Sequence, residues 1–309
     1  MLRAVVRWRH MGERALRFAL EGADSNRAFG RRSEILERLV MLRGRGVGEV
    51  KIAVCVKETP EATARARIDS GTHRLDRSGA STLNPFDTHA LEEGLRVKEK
   101  TGEGEVVAVL MGPPQAADSL RKALAIGADR AVHVSDDTLA GSDLVATARA
   151  LAKALEREEA HLVLFGQQGS DSDGAVLWSA VAELLRLPVV SQAASLELAG
   201  NKAKVSRQTE YGYDVIEAPL PCVVAVSDAI NEPRYPSLKG IMGAKKKPQE
   251  TVSLGALGLS GEDVGADGSR TEVLALSEPP SRGESRKIED DGGSAADQIV
   301  SYLSEKKLL

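Results

Sequence analysis

The stretch GQQGSDSDG, Gly166 to Gly174, has the residue types of a ligand cradle. Gly166, Gly169 and Gly174 allow a backbone to come close to a bound group, and the helix pattern that follows offers first-turn amides with no intrahelical acceptor. A nucleotide phosphate is the natural occupant of such a place. Asp171 and Asp173 stand against it, because carboxylates repel phosphate unless they cap the helix or take a hydroxyl or a metal; capping is the plainer reading. In an open parallel sheet, ligands settle beyond the carboxyl ends of the strands where strand order reverses. Two more loops leave strands at that edge, from Lys57 onward and at Met111-Gly112-Pro113.

Other chemistries lack their residues. His10, His73, His89, His133 and His161 do not approach one another, a Cys or a carboxylate at metal-ligand spacing, and no GxSxG elbow is present for a Ser-His-Asp site. His133 and His161 read as strand residues with satisfied hydrogen bonds. GxxxxGK[ST] is absent, which argues against ATP hydrolysis of that class. The glycines of Gly44 to Gly48 precede the first strand, whereas a dinucleotide fingerprint follows one. Cys55 and Cys222 lie in apolar runs and read as reduced core thiols.

The elements that must position the cradle alternate regularly from Lys51. KIAVCV, EVVAVLMG, RAVHV and HLVLFG are continuous apolar runs, as in parallel strands covered on both faces. Between them lie three helical patterns, PFDTHALEEGLRVKEK, PQAADSLRKALAIG with Gly127 as C-cap, and SDLVATARALAKALERE with Ser142 or Asp143 as N-cap. A fourth, GAVLWSAVAELLR, places Leu177, Val181, Leu184 and Leu185 on one face. This βαβα order predicts a doubly wound, mainly parallel α/β sheet. The run from Ser195 to Asp228 reads as three or four shorter strands with turns at Gly200-Asn201 and Tyr211-Gly212, an antiparallel extension.

The segment NEPRYPSLKGIMGAKKKP, Asn231 to Pro248, fits neither strand nor helix periodicity: Pro233 and Pro236 each remove a backbone donor, and Lys239 and Gly240 interrupt any apolar stripe. Lys245 to Lys247 read as a solvated face that can also steer an acidic partner. Residues 252–309 form an extended C-terminal arm ending in the helix SAADQIVSYLSEKKLL, whose Ile299, Val300, Tyr302 and Leu303 need a surface to pack on. Residues 1–49 hold eleven arginines and no lysine, a composition break in which RSEILERLVMLRG can form a short amphipathic helix, and Met41 is an alternative start. The α/β domain proper is placed at 50–251.

Across its 309 residues the chain is 42% hydrophobic, enough for a sizeable core, and its net charge of −4 with a pI near 5.9 argues against nucleic acid as a partner. No apolar run approaches the roughly 18 residues of a transmembrane span, and a cytoplasmic location is expected.

From Lys51 to about Leu309 the chain closely resembles the beta subunit of electron transfer flavoprotein. The resemblance rests on LNPFD at Leu83 to Asp87, ALEEGLRVKEK, GPPQAADSLRKALAIGADRAVHV, GQQGSDSDG and PLPCVVAVSDAINEPRYPSLKGIMGAKKKP. It implies an adenine nucleotide alpha hydrolase-like fold and a heterodimer whose alpha subunit holds most of the FAD. It implies a carrier without catalytic turnover of its own, serving fatty acid beta-oxidation between flavin dehydrogenases, such as acyl-CoA dehydrogenases, and a quinone oxidoreductase. The beta subunit of such proteins holds a structural AMP, or FAD where the complex is bifurcating. Carried over by position, that pocket involves Cys55, Asn84, Pro85, Phe86, Asp87, Met111, Gly166, Gln167, Gln168, Gly169, Asp171, Asp173, Gly174, Ala175, Val176 and Leu177. The family's partner-recognition loop falls on 234–243, with Arg234, Tyr235, Pro236, Ser237, Leu238, Lys239, Gly240, Ile241 and Met242, and Leu238 is its anchor. AMP-binding relatives commonly carry Asn-Gln-Thr at the helix start and bifurcating ones Thr-Ala-Gln-Val. Here Gly174-Ala175-Val176-Leu177 leave a phosphate only backbone amides. Gly243 replaces the first lysine of the family's KAKKK, and Gln208 stands where many relatives have Glu.

Overall fold

A computed structural model describes residues 3–8, 50–61, 63, 67–277, 287–290 and 292–309. The helix expected over 32–44 lies outside them. The described strands are β1 (Arg3–Trp8), β2 (Val50–Cys55), β3 (Glu58–Pro60), β4 (Ser81–Leu83), β5 (Gly104–Met111), β6 (Arg130–Val134), β7 (Leu162–Gly166), β8 (Val189–Ala199), β9 (Lys202–Thr209), β10 (Gly212–Pro219), β11 (Cys222–Val226), β12 (Gln249–Val252) and β13 (Thr271–Ser277). The α-helices are α1 (Pro85–Thr101), α2 (Ala117–Ile126), α3 (Leu144–Glu158), α4 (Leu177–Leu185), α5 (Leu238–Ala244), α6 (Gly265–Gly268) and α7 (Ala295–Glu305).

Nine strands form one sheet in the order β10-β9-β8-β11-β7-β2-β5-β6-β12, and β1 pairs with β13 in a separate two-stranded sheet. Every neighbouring pair from β8 to β12 is parallel; only β9 and β10 are antiparallel additions. The expected α/β class is therefore present, with one correction. The run CVVAV is not in the antiparallel extension but lies between β7 and β8 in the parallel part, which suits five consecutive buried residues.

Alternation along each strand builds two cores. Ile52, Val54, Val106, Leu110, Leu162 and Leu164 face one side, where Leu91 and Leu95 of α1 and Leu120 and Leu124 of α2 cover them. Ala53, Cys55, Val107, Val109, Val163 and Phe165 face the other, against Leu151 and Leu155 of α3 and Val181 of α4. Leu184, expected on the buried face of α4, is instead 44% exposed; Val181 and Ala182 are the buried residues, with Leu177 and Leu185 partly buried against the core. Val252, Leu254, Leu257 and Val264 join the second core. Both cysteines are buried free thiols, and burial pushes Cys222 up to about 12.

The amino edge of the sheet is tied by charge. Glu158, at the end of α3, is buried and bonded by Arg130 at the start of β6, with Lys51 Nζ 3.4 Å away; Arg130 also bonds Glu105 at 2.8 Å. Burial pushes the Glu158 carboxyl up, and the two cations outweigh it and hold it below its ordinary range. His161 Nδ1 accepts a hydrogen bond from Lys51 N at 3.1 Å at the same edge, and His133 bonds Gly112 O at 3.0 Å.

The chain divides into two compact units, residues 7–272 and residues 1–6 with 273–309. In the second, α7 buries none of its residues, and Ile299, Val300 and Tyr302 are exposed. Replacing Arg130 by Ala leaves the buried carboxylate with Lys51 as its one remaining ion-pair partner among the described residues and should destabilise the protein by about 3 kcal/mol, read as a lower urea midpoint.

Candidate functional site

Strand order reverses between β2 and β7. From β2 the chain runs outward through β5 to β6, and it returns to the other side of β2 as β7 before running to β8. Loops that diverge in this way leave a crevice at the carboxyl edge. A cavity of about 530 Å³ lies there, lined by Cys55 and Lys57 after β2, Met111 and Gly112 after β5, Asn84 and Asp87 of LNPFD, Phe165 to Gly169 after β7, and Leu177 and Trp178 of α4. Its volume is in the range of small-molecule sites.

Of the expected pocket residues, Cys55, Asn84, Asp87, Met111, Gly166, Gln167, Gln168, Gly169, Gly174 and Leu177 line this cavity, while Pro85, Phe86, Asp171, Asp173, Ala175 and Val176 do not. Pro85 opens α1, and the exposed Val176 occupies the N-cap position of α4 without a side-chain cap. Lys57, Arg77, Ser142, Thr147 and Trp178 add polar groups that LNPFD and GQQGSDSDG do not contain. Arg77 carries no local signal, since it lies outside any helix or strand, 89 residues before Gly166, and reaches the site only through the fold.

The loop after β7 is fastened at several points. Asn84 donates through Nδ2 to Gln168 O at 2.8 Å and accepts through Oδ1 from Ser170 N at 3.1 Å. Trp178 Nε1 donates to Gln167 O at 3.1 Å. Gly166 has a steric reason: a Cβ there would lie 2.5 Å from Asp87 Oδ1 and from the carbonyl carbon of Phe86. The capping reading of the two aspartates is overturned. Asp171 accepts from Lys57 Nζ and from Arg77 Nη2, each at 2.6 Å, and Asp173 Oδ1 accepts from Gln168 Nε2 at 3.1 Å. Burial pushes the Asp171 carboxyl up, but the hydrogen bonds and charges of Lys57 and Arg77 more than offset this, leaving it below the ordinary carboxylate range. Asp171 is thus neutralised by two cations that line the cavity, so its own repulsion of phosphate, expected from sequence, is relieved.

Asp87 is a buried carboxyl at the cavity wall. Its Oδ2 accepts from Lys57 N at 2.8 Å, yet burial dominates and raises it to about 7. Cys55 lies beside it, and burial, reinforced by the Asp87 charge, raises its thiol well above the ordinary value. The walls are apolar at Met111, Leu144, Leu151, Phe165, Leu177 and Trp178. A flat heterocycle with an anionic tail fits this arrangement, its rings among the apolar side chains and its tail toward the α4 amides and the two cations. No group of three or more metal-binding side chains occurs among the described residues.

The segment from Asn231 to Pro248 contributes no residue to the lining of this cavity. The proline-rich chain ends in α5, a helix the interrupted periodicity did not predict, capped by Ser237 Oγ, which accepts from Gly240 N at 3.0 Å. Arg234 is not a free surface cation: it bonds Glu92 at 2.7 Å and Glu99 at 2.6 Å on α1. Lys247 is not simply solvated either, donating to Leu124 O and Ala128 O at the end of α2 at 2.9 and 2.6 Å. Between these anchors Leu238 is 82% exposed and Tyr235 94%, with Ile241 and Met242 exposed beside them.

Fold and cavity define a doubly wound α/β domain with a ligand-sized crevice at its reversal point. Residues 72–257 match the electron transfer flavoprotein domain family. The electron transfer flavoprotein subunit beta of Mycobacterium bovis is 37% identical over 264 residues, covering 84% of this chain and 99% of that one. The subunit of the same name from Megasphaera elsdenii is 36% identical over 271 residues, covering 84% and 100%. The caffeyl-CoA reductase-Etf complex subunit CarD of Acetobacterium woodii is 38% identical over 263 residues, covering 84% and 100%. The chain belongs to the electron transfer flavoprotein family, as a beta subunit.

A carboxyl whose pKa is higher in the folded than the unfolded state contributes stability below its unfolded value near 3.8 and loses it as pH rises to about 7. Asp87→Asn should therefore remove a contribution that falls by about 1.4 kcal/mol per pH unit between pH 4 and 7, so that its melting temperature gains on the wild type's across that range and matches or exceeds it at pH 8. Parallel wild-type and variant melting curves across that range would contradict the assignment.

Proposed function

We propose that the chain is the base of a heterodimeric electron carrier. It docks flavin dehydrogenases, of which acyl-CoA dehydrogenases are the expected kind, through α5 and holds a structural AMP in the cavity between β2 and β7. An alpha subunit carries the redox FAD, and a quinone oxidoreductase takes the electrons. The observation that carries the docking reading is the fixed exposure of α5. Arg234 and Lys247 tie its two ends to α1 and α2, so Leu238, Ile241 and Met242 are presented with little entropy left to lose on binding. Exposed apolar anchors of this kind are what a partner's pocket takes.

For the cavity, the supporting groups are the α4 amides, Lys57 and Arg77 for a phosphate, and Phe165, Leu177 and Trp178 for a base. A bifurcating complex with FAD in this cavity is the second reading, favoured by the similarity to the Acetobacterium woodii subunit. When bound, AMP supplies structure and FAD supplies redox chemistry; the chain's own residues bind, orient and exclude water.

Denaturing the complex purified with its alpha partner and counting cofactors by chromatography decides between them. One FAD and one AMP supports the carrier, two FAD and no AMP moves the protein to bifurcation, and one FAD alone removes the nucleotide from the cavity. Leu238→Ala should leave the melting temperature within about 2 °C of wild type, as surface changes do, and lower dehydrogenase-dependent flavin reduction about tenfold or more, as loss of a hot-spot anchor does. Unchanged reduction with every dehydrogenase tested would remove α5 from docking.

A further inference from the structure

We propose that Asp171 is a positioning residue, a latch that holds the Gly166–Gly174 loop closed across the cavity, and that this latch governs how fast the bound nucleotide leaves. The inference rests on the reading that the cavity binds a nucleotide. It deepens that reading by assigning control of release to a residue that does not line the cavity.

Three segments distant in sequence meet at one carboxylate. Lys57 follows β2, Arg77 precedes β4 and Asp171 follows β7. Both Asp171 oxygens are used, Oδ1 by Lys57 Nζ and Oδ2 by Arg77 Nη2, at 2.6 Å each. The Asp171 side chain is 4% exposed, against 39% for Lys57 and 35% for Arg77. A carboxylate so buried is stable only while its cations stay, which makes the closed loop and the ion pairs interdependent. Arg77 is itself fixed, donating through Nη1 to Glu58 O at 3.1 Å.

The loop backbone is shaped for this contact. Ser172 N and Asp173 N both donate to Gly169 O, at 3.1 and 2.8 Å, folding the turn so that Asp171 points at the cations. A Cβ at position 169 would stand 2.9 Å from Asp171 Oδ1 and 3.0 Å from Lys57 Nζ. A side chain at position 169 would therefore crowd the latch. Lys57, Arg77, Gly169 and Ser172 line the cavity around this junction, so a ligand leaving on that side must part the residues the latch joins. With both oxygens engaged, Asp171 is better placed to hold the loop than to receive a ligand hydroxyl.

The test uses the purified two-subunit complex and its Asp171→Asn form. Nucleotide release is followed after dilution into excess isotope-labelled AMP, and amide hydrogen exchange is measured in parallel by mass spectrometry. Asp171→Asn should speed release about tenfold or more, as expected for breaking a buried charge-assisted pair. Exchange should rise in 166–174 and stay unchanged in β5 and β6. Equal release rates in wild type and Asp171→Asn would overturn the latch, as would unchanged exchange in 166–174. A wild-type complex without nucleotide would sink the underlying reading of the cavity. In that event the exchange data still decide the latch, because faster exchange confined to 166–174 supports loop closure and unchanged exchange refutes it.

Discussion

The parallel pairing of β2 with β7 is the constraint on which the rest depends. Ile52 to Cys55 lie beside Leu162 to Phe165, more than a hundred residues away, and the chain can achieve this only by leaving the β5 and β6 side of the sheet and crossing to the other. Loops on the two sides then diverge at the carboxyl edge and open a crevice that no single segment encodes. The opposite edge is drawn together by Arg130, Glu158 and Lys51, so the sheet is closed at one end and receptive at the other.

Charge is used repeatedly to hold one segment on another where apolar packing is unavailable. Asp171 gathers Lys57 and Arg77 across the cavity mouth, Arg234 fastens the proline-rich chain to Glu92 and Glu99, and Lys247 satisfies the last carbonyls of α2. In each case one partner is buried or the geometry is multiply hydrogen-bonded, the conditions under which an ion pair fixes position rather than merely decorating a surface. The exposed apolar residues of α5 are consequently flanked by fixed anchors, and the loop beside the cavity is fastened to Lys57 after β2 and to Asn84 before α1.

Much of this was legible in the sequence. Continuous apolar runs marked β2, β5, β6 and β7 to within a residue, and Asp143 was correctly among the expected caps of α3, accepting from Ala146 N at 2.9 Å. The same rule placed CVVAV wrongly, because its neighbours in sequence are antiparallel while its partners in space are β7 and β8. The helix α5 was hidden by its own composition: seven residues with two glycines give no stripe, and Ser237 and the packing beside α2 supply what periodicity lacks. Asp171 looked like a cap because its cations arrive from 94 and 114 residues away. Local signals name elements well, but charge partners set by topology cannot be read until the strand order is known. The dehydrogenase and nucleotide assignments came from the resemblance rather than from such local patterns.

The central claim is that the crevice between β2 and β7 is a nucleotide site. A crystal structure of the purified heterodimer, solved without added ligand at a resolution that separates base from ribose, tests it directly. The result expected is density for one nucleotide with its base among Phe165, Leu177 and Trp178 and its phosphate toward Lys57 and Arg77. Density for water alone in that crevice, with any adenine nucleotide bound elsewhere in the complex, would contradict it.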